Sequence, residues 1–302
     1  KDISIISLIT PSVFLVNDYD FKLREELLIK NDLLEINYSE EEIFDIPTVK
    51  ACVFILKKGN PTKTIRLKLI EDRKFETLEV VEKRYLNDQL VINQDIRNNE
   101  LKVLQKLKSN FDFNDNFDVK NGIKIRKDLV NERSDGKNPK KFLLGRDINC
   151  FLINFQNRYI DYNKELESKY SNQAFRDSQI FDQIKLIIRQ IPSNRIVAAF
   201  DKAKFYCDQT TYVINHKKED EKELKFILAL LSSKLFAFYH KLNFSDSKKT
   251  FPKVKGTHLK SFPYLKFNLQ KHSKIIMLVD QILTAKKETA DAGTSKLEAK
   301  ID

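Results

Sequence analysis

Apolar positions along this chain change their spacing several times, and each change predicts an element. The opening run SIISLITPSVFLV (residues 4–16) is nearly all apolar and reads as a strand broken at Pro11. In DFKLREELLIK, Phe21, Leu23, Leu27 and Leu28 fall at helical spacing, so a short amphipathic helix follows. LLEINYS and TVKACVFILKK predict two more strands, the second buried on both faces because its apolar residues are nearly consecutive. TIRLKLIE alternates and is expected to be an edge strand or the hairpin partner of the run before it, turned at Gly59-Asn60-Pro61. A helical pattern returns in RNNELKVLQKLKS, with Leu101, Leu104 and Leu107 on one face. The Asn/Asp-rich NFDFNDNFD that follows marks a domain boundary.

Beyond it the chain changes character. FDVKNGIKI, KFLLGRDI, FLINF, RYIDY, NRIVAAFD and TTYVIN predict short strands, and SQIFDQIKLIIRQ and EKELKFILALLSSKLFAFYHKL predict helices among them. The last stretch reads as one helix, a loop at residues 290–294 and the start of another helix. Its Ile275, Ile276, Leu278, Val279, Ile282 and Leu283 make that helix too apolar to lie free.

Composition narrows the class. A chain of 302 residues, 41% hydrophobic and 32% charged, suits a soluble protein with room for two domains. No apolar run is long enough to span a bilayer, and the first residues lack the pattern of a secretory signal. Cys52, Cys150 and Cys207 lie far apart with no zinc-type spacing, so reduced structural cysteines in a cytoplasmic protein are expected. Charge says more: 54 Lys and Arg against 43 Asp and Glu give a net +11. That excess favours polyanions, since cationic side chains displace condensed counterions from phosphates. A generally Lys-rich, mildly basic composition is the alternative source of the same charge.

Several chemistries are missing. The six glycines are scattered, so neither a P-loop nor a GxGxxG loop can be built, and no two prolines are adjacent. His216, His240, His258 and His272 show no metal-ligand spacing and no nucleophile elbow, so no metal site is expected. The triplets Glu100-Leu101-Lys102 and Glu223-Leu224-Lys225 fall on expected helices as solvated faces.

Read in order, several segments resemble the C-terminal part of TaqI-like adenine-specific DNA methyltransferases and type IIG restriction-modification enzymes. They are TPSVFLVNDYDFKLREELL, EEIFDIPTVKACVFILKK, FLLGRDINCF with RYIDY, IIRQIPSNRIVAAFD, FPKVKGTHLKSFP and the tail LVDQILTAKKETADAGTSKLEAKID. The resemblance implies an α+β chain. Residues 1–110 would be the end of a methyltransferase sheet, 111–267 a mixed, β-rich target recognition domain, and 268–302 a helical tail. The family's cofactor loop and its Asn/Asp-Pro-Pro-Tyr/Phe motif do not occur here. The chain is therefore expected to bind no cofactor and to be catalytically incomplete, with S-adenosylmethionine expected in the parent protein. Its expected partners are double-stranded DNA and an upstream methyltransferase domain, with or without a nuclease, and no membrane.

The resemblance also implies residue roles. Phe44 matches the Phe that stacks on an adenine flipped out of the duplex, and otherwise reads as a core Phe. Pro252 stands where a proline approaches the gap left by the flipped base; Lys248, Lys249 and Thr250 before it could reach phosphates. From the residues themselves, VKNGIKIRK reads as a hairpin on a tight Asn-Gly turn that projects Lys120, Lys124 and Arg126. Arg189 and Gln190, at an expected helix end, form a base-reading candidate or a neutralised helix terminus, with Arg195 as a phosphate contact beside them. In GRD, Gly145 is expected to allow a bend that Arg146 and Asp147 hold together. Two DNA-binding readings stay open, a module of a larger methyltransferase and a stand-alone specificity subunit served by a partner chain. A structural module with incidental charge is the third.

Overall fold

In the computed structural model, which describes residues 4–39, 50–71, 74–86, 89–92, 97–107, 112–134, 136–169, 173–244 and 253–302, the first apolar run forms β1 (Ile5–Pro11). It belongs to the first of two units, Lys1–Lys108 with Tyr239–Pro252; the second is Ser109–Phe238 with Lys253–Asp302. The fold is α+β. No helix among the described residues is long and apolar enough to cross a membrane.

In the first unit, α1 (Phe21–Glu25) runs on into a wider turn to Lys30, followed by β2 (Asp32–Ser39), β3 (Ala51–Lys57), β4 (Thr64–Glu71), β5 (Lys74–Glu82) and α2 (Asn98–Lys106). The sheet order is β1-β3-β2-β4-β5, with β2 and β4 parallel and the other neighbours antiparallel. Its core gathers Leu15, Leu28, Leu33, Ile36, Phe54, Ile65, Leu67 and Ile92.

Two strand expectations need correction here. β4 is not the hairpin partner of β3: β2 lies between them, and β4 turns into β5 with Glu71 opposite Lys74. The link after β3 is pinned over the start of β2, where buried Asp32 accepts from Thr62 N (2.7 Å), Thr62 Oγ1 (2.8 Å) and Lys83 Nζ (3.0 Å). Nor is β3 buried on both faces. Cys52 and Phe54 enter the core, while Val53 and Ile55 stay half-exposed beside β1.

The second unit opens with α3 (Phe113–Asn116), β6 (Phe117–Asn121), β7 (Val130–Asn131), β8 (Pro139–Leu143), β9 (Ile148–Asn149), β10 (Leu152–Ile153), β11 (Tyr159–Asp161) and α4 (Leu166–Lys169). It continues through β12 (Lys185–Arg189), β13 (Ala198–Asp201), β14 (Tyr206–Cys207), β15 (Thr211–His216) and α5 (Glu221–Leu231). α6 (Lys234–Phe244), whose residues from Tyr239 group with the first unit, precedes α7 (Gly256–Ser261), α8 (Leu269–Glu288) and α9 (Ser295–Ile301).

One sheet has the order β13-β12-β15-β6, all antiparallel, and a second has β14-β8-β11-β7. Phe142, Leu143, Ile148, Ile160, Phe181, Ile187 and Val213 fill one core of this unit. The first sheet also meets α5, on which α8 and then α9 pack. Residues 178–190, expected as a helix, form a 3-10 turn at Ser178–Ile180 and then the inner strand β12. With β13 and β15 on either side and Lys185–Ile188 all buried, β12 has lost the alternation that marks a strand. The long helix expected over residues 221–242 is two, because Ser233 Oγ donates to Leu230 O (2.7 Å) and accepts from Phe236 N (3.2 Å) between them.

Candidate nucleic-acid interface

At the ends of β6, β12 and β15, loops far apart in sequence are tied together by backbone bonds. Gln190 N donates to Thr210 O and Val254 N to Gln190 O, both at 2.9 Å. Gly122 N reaches Thr211 O (3.2 Å), Ile123 N reaches Cys207 O (2.8 Å), and Asp208 N reaches Leu143 O (2.9 Å). Thr210 sits at the centre: its Oγ1 donates to Asp208 Oδ1 (2.6 Å) and accepts from Gly145 N (3.2 Å). Burial pushes the Asp208 carboxyl up, with Asp147 adding to this and the Thr210 bonds opposing it.

The two glycines here answer to close approach rather than to bending. A Cβ on Gly122 would stand 2.1 Å from Asp208 O, and one on Gly145 would stand 2.5 Å from Thr210 Oγ1. In the Gly-Arg-Asp turn the work divides differently from expectation. Asp147 is buried and accepts from Leu144 N (2.7 Å) and Arg158 Nη1 (2.5 Å), so it does hold the turn. Arg146 does not share that role. It is exposed between two buried neighbours, with no hydrogen bond or ion pair among the described residues.

Val119–Lys127 is not a hairpin. β6 pairs with β15, over ninety residues along the chain (Val213 opposite Lys120), and Asn121-Gly122 leads into single bridges, Ile123 with Asp208 and Lys124 with Ala174. The Asn-Gly pair thus serves a crossing of two backbones. Lys120 is exposed on the outer strand, Lys124 is half-buried, and Arg126 forks onto Asp128 at 3.0 and 2.8 Å.

Arg189 and Gln190 end a strand, so the helix-terminus role falls away. Arg189 Nε donates to Ile191 O (2.5 Å). Gln190 is 6% exposed, and its Nε2 donates to Gln209 O (2.7 Å). Arg195 grips Asp302 with two nitrogens (3.2 and 2.9 Å) and donates to Ser232 O (3.1 Å). Burial alone would raise the Asp302 carboxyl, but the bonds from Lys234 and the charge of Arg195 outweigh it and hold it low. Phe44, Lys248, Lys249, Thr250 and Pro252 lie outside the described residues.

Arg146, which the sequence reading placed only in the turn, and Gln209, which it did not single out, are both exposed on these tied loops. Exposed Lys253 and Lys255 flank Val254 on the same cluster. The signal for Arg146 was present in Gly-Arg-Asp, where the two turn-forming residues leave the middle one outside.

Comparison with known proteins bears on this surface. Residues 140–264 match the family described as the TaqI-like C-terminal specificity domain. The chain is similar to the type IIL restriction-modification enzyme MmeI in complex with DNA, at 15% identity and a TM-score of 0.63, over 99% of this chain and 46% of that one. It is also similar to the type IIG restriction endonuclease BpuSI, at 14% identity and a TM-score of 0.42, over 98% of this chain and 46% of that one. This chain thus spans less than half the length of either. Among curated proteins, none matches it. The matched residues supply every loop of the cluster except the end of β6.

Proposed function

We propose that the loop cluster is a double-stranded DNA contact surface, and that the chain is the specificity portion of a cytoplasmic adenine-specific DNA methyltransferase or type IIG restriction-modification enzyme. The observation that carries this is the cluster itself: a specificity-family segment presenting exposed Arg146, Lys253 and Lys255, with Lys120 beside it, on loops fixed by hydrogen bonds. In a chain of net charge +11, Lys120, Lys253 and Lys255 are the groups of this cluster that would replace counterions on phosphates.

The first unit supports a larger parent over a stand-alone subunit. Its edge strand β1 leaves Ile5, Ile6, Leu8 and Ile9 between 47 and 59% exposed, a surface suited to cover by further methyltransferase strands. The likeness to MmeI spans both units. The first unit's glycine does not fit a loop for S-adenosylmethionine. Gly59, the first unit's one glycine in sequence, lies in an open turn with nothing within 4 Å of an added Cβ, so it forms no cradle. Methyl transfer therefore belongs to residues of the parent outside this chain, and the part of this chain is to hold and read DNA. Phe44 and Pro252 keep the stacking and wedge roles that the resemblance implies, with Lys248 and Lys249 at phosphates.

Binding to duplex DNA at two salt concentrations tests this. For about four neutralised phosphates, affinity should fall roughly a hundredfold between about 50 and 200 mM salt. Binding that is absent, or indifferent to salt, refutes the proposal.

A further inference from the structure

We infer that Arg146 and Gln209 are the base-contacting pair of this surface, an assignment that rests on the DNA-recognition reading above. A side chain that reads a base edge must be exposed and unengaged, and must stand on a backbone that cannot shift. Four of the cations and amides singled out by sequence fail one of these conditions, and Lys120, which is exposed, carries an ammonium that cannot fork onto a base edge. Gln190 is buried with its amide on Gln209 O, Arg189 bonds Ile191 O, Arg195 is clamped to Asp302, and Arg126 is forked onto Asp128.

Arg146 and Gln209 meet all three. Both are exposed, and neither side chain has a hydrogen bond or ion pair among the described residues. Arg146 stands between Gly145, whose amide is on Thr210 Oγ1, and Asp147, held by Leu144 N and Arg158. The Gln209 carbonyl is held by Gln190 Nε2, and the next residue, Thr210, accepts from Gln190 N. Thr210 therefore touches Gly145 and adjoins Gln209, which places the two readers on neighbouring, mutually braced loops. Their chemistry is complementary: a guanidinium fork fits O6 and N7 of guanine, and a carboxamide fits N6 and N7 of adenine.

The test uses the whole chain and a duplex pool randomised in sequence, with the bound fraction sequenced. Wild type should enrich a motif. Arg146→Lys should keep affinity for the unselected pool but lose roughly tenfold preference at one G·C position, because an ammonium cannot fork. Gln209→Ala should lose a similar preference at one A·T position, while Arg189→Ala leaves the motif unchanged. Unaltered motifs in both variants, uniform weakening on every sequence, or wild-type binding without preference would each overturn the assignment while leaving the DNA reading standing. An early-melting Arg146→Lys would make that residue structural and overturn it too. Wild type without salt-dependent binding would sink the DNA reading and this assignment with it.

Discussion

Gly122 shows how one atom sets the loop cluster. The Cβ it lacks would meet Asp208 O at 2.1 Å and Cys207 O at 2.6 Å, and both are backbone atoms. Neither can swing aside, because Ile123 N already bonds Cys207 O and Asp208 N bonds Leu143 O. Gly122→Ala should therefore destabilise the second unit by about 3 kcal/mol in urea titrations. At Gly59 no atom is in the way, and only its φ of 107° opposes a side chain, so Gly59→Ala should cost about 1 kcal/mol. Equal small losses at both sites would rule out the close approach. Arg195 makes the opposite contrast: its bonds go to Asp302 and Ser232, so Arg195→Ala should lower the melting temperature and leave the salt slope of DNA binding unchanged. A slope reduced by about one would return it to the phosphate contacts.

At the scale of elements, buried Asp32 does for the first unit what Thr210 does for the second. Three donors from two segments converge on its Oδ1, so the connection between β3 and β4 is fixed across β2. Asp32→Ala would strand the mostly buried Lys83 ammonium, and should destabilise that unit by about 3 kcal/mol. Asp32→Asn, which keeps an acceptor, should cost less; the same loss for both would mean that packing rather than the acceptor matters. Elements whose apolar period survives folding were legible in the sequence, such as α8, with Ile276, Val279 and Ile282 on its buried side. β12 was not, because burial on both faces removes the alternation that separates strand from helix. The Asn-Gly pair misled for a related reason. Local chemistry names a turn, while Gly122 is there for a backbone crossing made by residues about ninety positions away. The site was legible only as a region: KFLLGRDI and IIRQIPSN lie in it, but which side chains stay unengaged depends on Thr210, Asp302 and Asp128, which no local pattern connects to them.

Acid should act on the whole molecule in two steps, one for each unit. In the second unit, burial holds His258 at about 3, with Lys255 adding to the effect, against about 6.5 for an unfolded histidine. The unfolded chain thus binds a proton that the fold refuses, and stability falls as pH drops below about 6.5, by roughly 1 kcal/mol per pH unit. His272, also lowered by burial, works in the same direction. Asp208, raised by burial, works in the other, but only within the carboxylate range. In the first unit, burial would raise the Asp32 carboxyl, yet the bonds from Thr62 and Lys83 outweigh it and hold it low. That contribution is complete above about pH 4 and disappears only as pH falls through the lowered value. Hydrogen exchange followed by mass spectrometry separates the two. Between about pH 6.5 and 4.5 protection should fall in the sheet of β12 and β15 while that of β2 and β4 holds. His258→Asn retains an acceptor for Lys255 N, now supplied by the Nδ1 at 3.3 Å, but has no proton to gain, so it should flatten the second unit's profile. A wild-type profile already flat across that window would show that His258 titrates freely in the folded chain.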